Sequence, residues 1–164
     1  MARKVFFSFN YHNDCWRASQ VRNMGIVEGN CPLSDNKWED VKHKGSKAIQ
    51  TWIDNNLYGR SCTIVLIGNE TADRKWIDYE IEKSWENGKG LLGIYIHNLK
   101  NRLSEKDIKG NNSFENFSTG QKRLSQIVKV YNPPYLKSTS VYGYIKENIE
   151  LWVEDAIKIR KQYA

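Results

Sequence analysis

Three apolar runs in this chain show almost no alternation between hydrophobic and polar positions: Val5-Phe6-Phe7-Ser8-Phe9, Thr63-Ile64-Val65-Leu66-Ile67-Gly68 and Leu91-Leu92-Gly93-Ile94-Tyr95-Ile96. Runs of this length and character are expected of strands buried on both faces of a sheet. Between them the period lengthens to that of a helix. Ile49, Trp52, Ile53 and Leu57 make an amphipathic stripe over 47–57, with Ser46 as a reasonable N-cap and Asn55, Asn56 and Gly59 as stops. Ile77, Ile81, Ser84 and Trp85 recur at i, i+4, i+7 and i+8 within 73–86, which leaves Trp76 and Glu80 on one flank of the core-facing stripe.

The remaining segments read less sharply. Asp14 is a candidate cap for a helix over 15–24, in which Trp16, Val21 and Met24 partly match a stripe, and a short second strand is expected around Ile26-Val27. Residues 33–45 read as a surface loop with Trp38 and Val41 as apolar anchors. Residues 98–120 are long, polar and rich in Asn, Ser, Lys and Gly, a loop of functional length. An edge strand is expected over 127–131, stopped by Asn132-Pro133-Pro134. A long final helix is expected over 141–160, with Ile145, Ile149, Trp152, Val153 and Ala156 on one face. Strands alternating with helices imply a parallel, doubly wound sheet of about five strands in an α/β fold. At 164 residues the chain reads as a single domain, 1–164.

Composition narrows the function classes. The net charge of +6 favours anionic partners, yet the basic residues are scattered and form no basic-aromatic ladder, so no nucleic-acid partner is expected. Three cysteines without a Cys-x-x-Cys pair argue against a disulfide framework and point to a reducing cytoplasm. The apolar run after Arg3-Lys4 is broken at Ser8 and Asn10 and reads as a strand, not a signal peptide; no run is long enough to span a membrane. His12, His43 and His97 are too dispersed for a metal site, and none is expected. No Gly-x-Gly-x-x-Gly turn follows the first strand, which argues against a Rossmann redox cofactor.

In open α/β sheets, ligands bind outside the carboxyl ends of the strands. Ser8, Phe9 and Asn10 stand at that end of the first strand, and the helix after the second long apolar run delivers its first turns to the same edge. Each candidate also has an ordinary reading. Ser8 and Asn10 fit a role capping the following turn, Trp76 that of a boundary aromatic, and Glu80 that of a solvated charge.

The stretch Arg74-Lys75-Trp76-Ile77-Asp78-Tyr79-Glu80-Ile81, following Thr63–Gly68 and preceded by Arg3-Lys4-Val5-Phe6-Phe7-Ser8-Phe9-Asn10-Tyr11, resembles TIR-like domains. There the pattern is Trp, three residues, Glu, here Trp76 and Glu80. The resemblance runs from residue 3 to about 97 and is nearest the bacterial TIR-like group that serves as the signalling subunit of Thoeris antiphage defence. It implies a flavodoxin-like, three-layer fold and an enzyme that breaks the nicotinamide–ribose bond of NAD, with NAD as substrate and not as a retained cofactor. It also implies a cyclic ADP-ribose-type messenger, a separate effector reached through that messenger, and possible homo-oligomerisation.

On that resemblance Glu80 is the catalytic carboxylate. Nicotinamide leaves as a neutral base from a cationic ribosyl pyridinium, so no general acid is needed. A carboxylate near the ribose stabilises the oxocarbenium-like transition state and orients the sugar hydroxyls. Asp78 on the opposite flank and Glu82 and Glu86 further outward are weaker candidates. Ser8, Phe9, Asn10, Trp76 and, from the 33–45 loop, Asp35 and Trp38 are the expected substrate contacts. For Asp35 and Trp38, loop anchoring or solvation is the competing role. Two other classes fit the same residues: a TIR module that acts only by assembling with other copies, and a nucleoside or deoxyribosyl transferase that uses a carboxylate at the same sugar carbon.

Overall fold

A computed structural model describes residues 2–30, 40–120 and 122–163. Within them the chain runs β1 (Val5–Ser8), α1 (Tyr11–Arg22), α2 (Ser46–Leu57), β2 (Cys62–Ile67), α3 (Lys75–Glu86) and β3 (Gly90–Tyr95). A two-stranded antiparallel hairpin of β4 (Ser118–Thr119) and β5 (Lys122–Arg123) follows, then a 3-10 turn at Leu124–Gln126, β6 (Lys129–Tyr131) and α4 (Ser138–Lys161). Every residue of β1, β2 and β3 is buried, which explains why these segments carry Val, Ile, Leu and Phe without alternation.

The four main strands are parallel in the order β1-β2-β3-β6, with Phe6 opposite Thr63, Ile64 opposite Leu92 and Gly93 opposite Val130. Helices cover both faces. On one, α1 and α4 bury Ala18, Val21, Val141, Ile145, Ile149 and Trp152 against Val5, Phe7, Ile64, Leu66, Leu92 and Ile94. On the other, Ile77 and Ile81 of α3 pack on Val65, Ile67 and Leu91, while Ile49, Ile53 and Leu57 of α2 pack on Phe6. This is the expected three-layer α/β architecture, flavodoxin-like and TIR-like.

Several boundaries differ from expectation. The second strand around Ile26-Val27 is reduced to a single parallel bridge, Lys4 to Glu28, so four strands and not five make the sheet among the described residues. Among the described residues, the free edge of β1 is met by separate contacts instead of a ladder, among them Arg60 Nη1 donating to the Val5 carbonyl at 3.1 Å. Val5 N–H donates to the Glu28 carbonyl at 2.8 Å, Glu28 N–H to the Arg3 carbonyl at 2.9 Å, and Phe7 N–H to the Asn30 side-chain oxygen at 2.9 Å.

Helix α1 begins at Tyr11, with Asn10 at the N-cap position, because Asp14 is not a cap; its carboxylate is fully buried and paired with Arg17 at 3.1 Å. Helix α3 begins at Lys75. Asp73, expected in its first turn, takes a left-handed backbone (φ 66°) and accepts a hydrogen bond from Asn116 at 2.6 Å. The final helix starts three residues early, at Ser138, and β6 is shorter than expected because Ile127 and Val128 turn inward as buried anchors.

The long polar segment after β3 is tied down at both ends. Leu99 and Phe114 are completely buried. Arg17, only 2 % exposed, donates to the carbonyls of Leu99 at 2.7 Å and Glu105 at 3.0 Å, while Asn13 donates to Asp107 at 3.1 Å. Gly110 meets the backbone of Gly68 and Asn69 so closely that any side chain there would strike it. Among the described residues, no helix is long and apolar enough to cross a membrane.

Candidate functional site

The buried stripe of α3 is Ile77, Glu80, Ile81 and Ser84, so Glu80 sits on the inward face and not on the solvated flank that periodicity assigned to it. An i, i+3, i+4, i+7 set turned towards the sheet carries a carboxyl group with it. That burial is tolerated because partners are present. Ser8, the last residue of β1 and 1 % exposed, donates its hydroxyl to Glu80 Oε1 at 2.9 Å. Ser84 Oγ donates to the Glu80 carbonyl at 2.6 Å and lies 2.6 Å from Thr63 Oγ1, which holds this turn of α3 onto β2.

Glu80 is 7 % exposed, and burial raises its pKa from the usual carboxylate range to about 8, with the Ser8 hydrogen bond pulling the other way. Near neutral pH the group is therefore mostly protonated in the empty site. A cation placed beside it favours the ionised form, so ionisation and the binding of a positively charged group reinforce each other. Asp78, also raised by burial, sits apart from the cavity wall.

Glu80 borders a cavity of about 400 Å³, within the range of roughly 300–1,000 Å³ usual for small-molecule sites. Phe6, Phe7, Phe9 and Asn10 line it from β1 and the turn beyond, Trp52 and Ile53 from α2, and Arg74 to Ile77 from the start of α3. Asn30, whose side-chain oxygen holds Phe7, completes one side. Trp76 packs edge-on against Tyr79 with ring centroids 5.8 Å apart, and Lys75 Nζ lies 4.8 Å from the indole centre.

The charges around this cavity are unequal. Among the described residues, Arg22, Lys42, Arg74 and Lys75 border it, and Glu80 is the one carboxyl that does. Arg74 also reaches Glu70, with its Nε donating to the Glu70 carbonyl at 3.0 Å. The arrangement suits a ligand with negative charge along its length and positive charge where it meets Glu80. Among the described residues, no group of three or more His, Cys, Asp or Glu side chains is placed to hold a metal ion.

Of the residues singled out in the sequence, Phe9, Asn10, Trp76 and Glu80 line one cavity, and Ser8 stands behind the wall on Glu80. Asn10 also ties the β2–α3 connection to this edge by donating to the Glu70 carbonyl at 3.3 Å. Asp35 and Trp38 lie outside the described residues. Sequence reasoning passed over Tyr11, Arg22, Asn30, Lys42 and Trp52. Arg74 and Lys75 stood in view, immediately before Trp76, while Arg22 and Asn30 carry no local signal: the packing of α1 on β1 brings the first there, and the bridge at the edge of β1 brings the second.

Comparison with known proteins bears on the same segments. The family model of the Thoeris protein ThsB, TIR-like domain, matches residues 6–101, more than half of the chain and including both Ser8 and Glu80. The chain is also 37% identical over 120 residues to ThsB1 of Bacillus cereus (strain MSX-D12), which is named as a proposed cyclic ADP-D-ribose synthase. That match covers 70% of this chain and 62% of the relative, so the chain spans less than two thirds of the relative's length.

Proposed function

Because the chain belongs to the family of the Thoeris protein ThsB, TIR-like domain, we propose that it cleaves the nicotinamide–ribose bond of NAD and closes the ADP-ribosyl product into a cyclic second messenger. The observation that carries this reading is the buried Ser8–Glu80 pair on the wall of a cavity that is otherwise lined by aromatic and basic side chains. A catalytic carboxylate is expected to be buried, hydrogen-bonded and shifted in pKa, and a solvated surface glutamate is none of these.

In the reaction the C–N bond to nicotinamide breaks and its electron pair leaves with the neutral ring. The pyridinium charge thereby moves onto the ribose carbon as oxocarbenium character. Ionised Glu80, drawn to its charged form by the cationic substrate, stabilises that charge and accepts hydrogen bonds from the sugar hydroxyls. Ser8 holds the carboxylate in place. Trp76, one turn earlier on α3, walls the nicotinamide end, while Phe9 and Asn10 face the sugar from the end of β1. Attack by an atom of the same molecule, with loss of its proton, gives the cyclic product; attack by water gives ADP-ribose. The aromatic lining favours the first by excluding water.

NAD is consumed as substrate, and the chemistry asks for no metal or resident cofactor. The messenger acts on a separate effector in antiphage defence, in the cytoplasm, and assembly with further copies of the chain is compatible with this role. The test is to incubate the chain with NAD, alone and in lysate from phage-infected cells, and to resolve the products by chromatography and mass spectrometry beside Glu80→Gln. Nicotinamide release reduced by about 100-fold or more in the variant, with a product of ADP-ribose mass less one water, is the expected result. Unaltered release in Glu80→Gln would overturn the assignment.

A further inference from the structure

A second cavity, of about 150 Å³, opens beside the first and is lined by Phe9, Tyr11, Cys15, Trp16, Ser19 and Arg22. Phe9, Tyr11 and Arg22 border both spaces, so the two are compartments of one cleft with an aromatic pair and a guanidinium at their junction. The Phe9 and Tyr11 rings are 6.2 Å apart, and Arg22 is 6.0 Å from the centre of the Phe7 ring. Cys15, Ser19 and Arg22 recur at i, i+4 and i+7 along one face of α1. Trp16 stands beside them with 50% of its surface exposed, an indole that the core does not use.

We propose that this second compartment is the subsite for the purine base at the far end of the dinucleotide. The base lies against Trp16 and Tyr11, and the pyrophosphate passes Arg22 at the junction. The proposal rests on the reading of NAD as substrate and adds which end of the molecule lies where.

Charge sets the direction. Among the described residues, Glu80 is the one acidic side chain that lines the first compartment, so the cationic pyridinium belongs there. The anionic link then meets the guanidinium at the junction, and an uncharged aromatic base is left for the aromatic wall beyond it. The reverse orientation sets the pyridinium beside Arg22 and offers Glu80 a neutral base.

Two measurements test it. Cys15 is a free, exposed thiol inside the second compartment and serves as a reporter that needs no turnover. In the Glu80→Gln chain, ADP or NAD at about 1 mM, the upper end of ordinary KM values, is expected to slow alkylation of Cys15 by iodoacetamide severalfold, read by peptide mass analysis. Nicotinamide mononucleotide, which lacks the purine, is expected to leave it unchanged. Alkylation of Cys15 at the same rate with and without ADP and NAD overturns the subsite.

The second measurement is kinetic. Trp16→Ala is expected to raise KM for NAD about tenfold through loss of base stacking, with kcat held within about twofold and cleavage of nicotinamide mononucleotide unaffected. Equal losses on both substrates overturn the assignment and leave Trp16 a structural role. Protection of Cys15 by ADP in a chain whose wild-type form releases no nicotinamide supports the purine subsite while removing the proposed cleavage, so the two failures are told apart.

Discussion

Ser8 Oγ and Glu80 Oε1 lie 2.9 Å apart, across 72 residues of sequence, because β1 ends where the second turn of α3 passes over it. The hydroxyl is the one hydrogen-bond partner found for the buried carboxyl among the described residues, and it opposes the rise in pKa that burial causes.

A pH profile follows from this pair. Nicotinamide release from NAD at low substrate concentration is expected to increase as pH rises and to level off above about 8, as Glu80 ionises. In Ser8→Ala the inflection moves to higher pH, since the contact that favours the carboxylate is gone. The measurement is kcat/KM across pH for both proteins. An inflection that stays in place in Ser8→Ala rules out the hydroxyl as the group that tunes Glu80.

The same shift has a stability signature of opposite sense to an ordinary salt-bridged acid. The folded chain holds the Glu80 proton up to about pH 8, whereas the unfolded chain loses it near 4.5. Between those values the folded state binds more protons, so the Glu80 contribution to stability declines as pH rises and is constant above about 8. Glu80→Gln removes the decline. Urea unfolding is expected to show the variant gaining on the wild type across that window, by a few kcal/mol at its upper end.

The sheet was legible because its strands are buried on both faces, and a run such as Ile64 to Ile67 has no polar position to mislead. Periodicity found α3 but put Glu80 on a flank, since a carboxylate is counted among the polar positions whatever its partner. Ser8, the partner that admits it to the interior, is distant in sequence. The Trp76–Glu80 spacing of the family pattern singled Glu80 out where the helical wheel did not. The Lys4–Glu28 bridge left little trace, because one backbone pair and an Asn30 side chain do the work of a strand. Asp14 looked like a cap because a carboxylate just before a helical stripe usually is one, and nothing local marks Arg17 as its buried counter-charge.

Gly68 and Gly143 should respond to alanine in opposite directions. A Cβ on Gly68 would fall on the buried carboxyl of Asp14, so Gly68→Ala is expected to cost about 1–3 kcal/mol by overpacking. A Cβ on Gly143 meets nothing within 4 Å, and its helical backbone suits alanine, so Gly143→Ala is expected to add about 0.5–1 kcal/mol. Thermal unfolding of the two variants beside the wild type checks both signs.

Arg17 is the tether of the long segment after β3, and its removal tests whether that segment is held from within. The guanidinium is buried with Asp14 at 3.1 Å, has Asp107 at 3.9 Å, and donates to the carbonyls of Leu99 and Glu105. Arg17→Met leaves the Asp14 carboxyl buried without its counter-charge, so a loss of about 3–5 kcal/mol is expected. Burial already raises the Asp14 pKa against the pull of Arg17, and without Arg17 it rises further. Adding Asp14→Asn to Arg17→Met removes the stranded charge and is expected to recover part of the loss, which a double-mutant cycle measures directly. The carbonyl contacts are not recovered by that second change. Amide exchange across residues 99–107 therefore stays faster than wild type in the double variant, and exchange that returns to the wild-type rate would assign the tether to the ion pair alone.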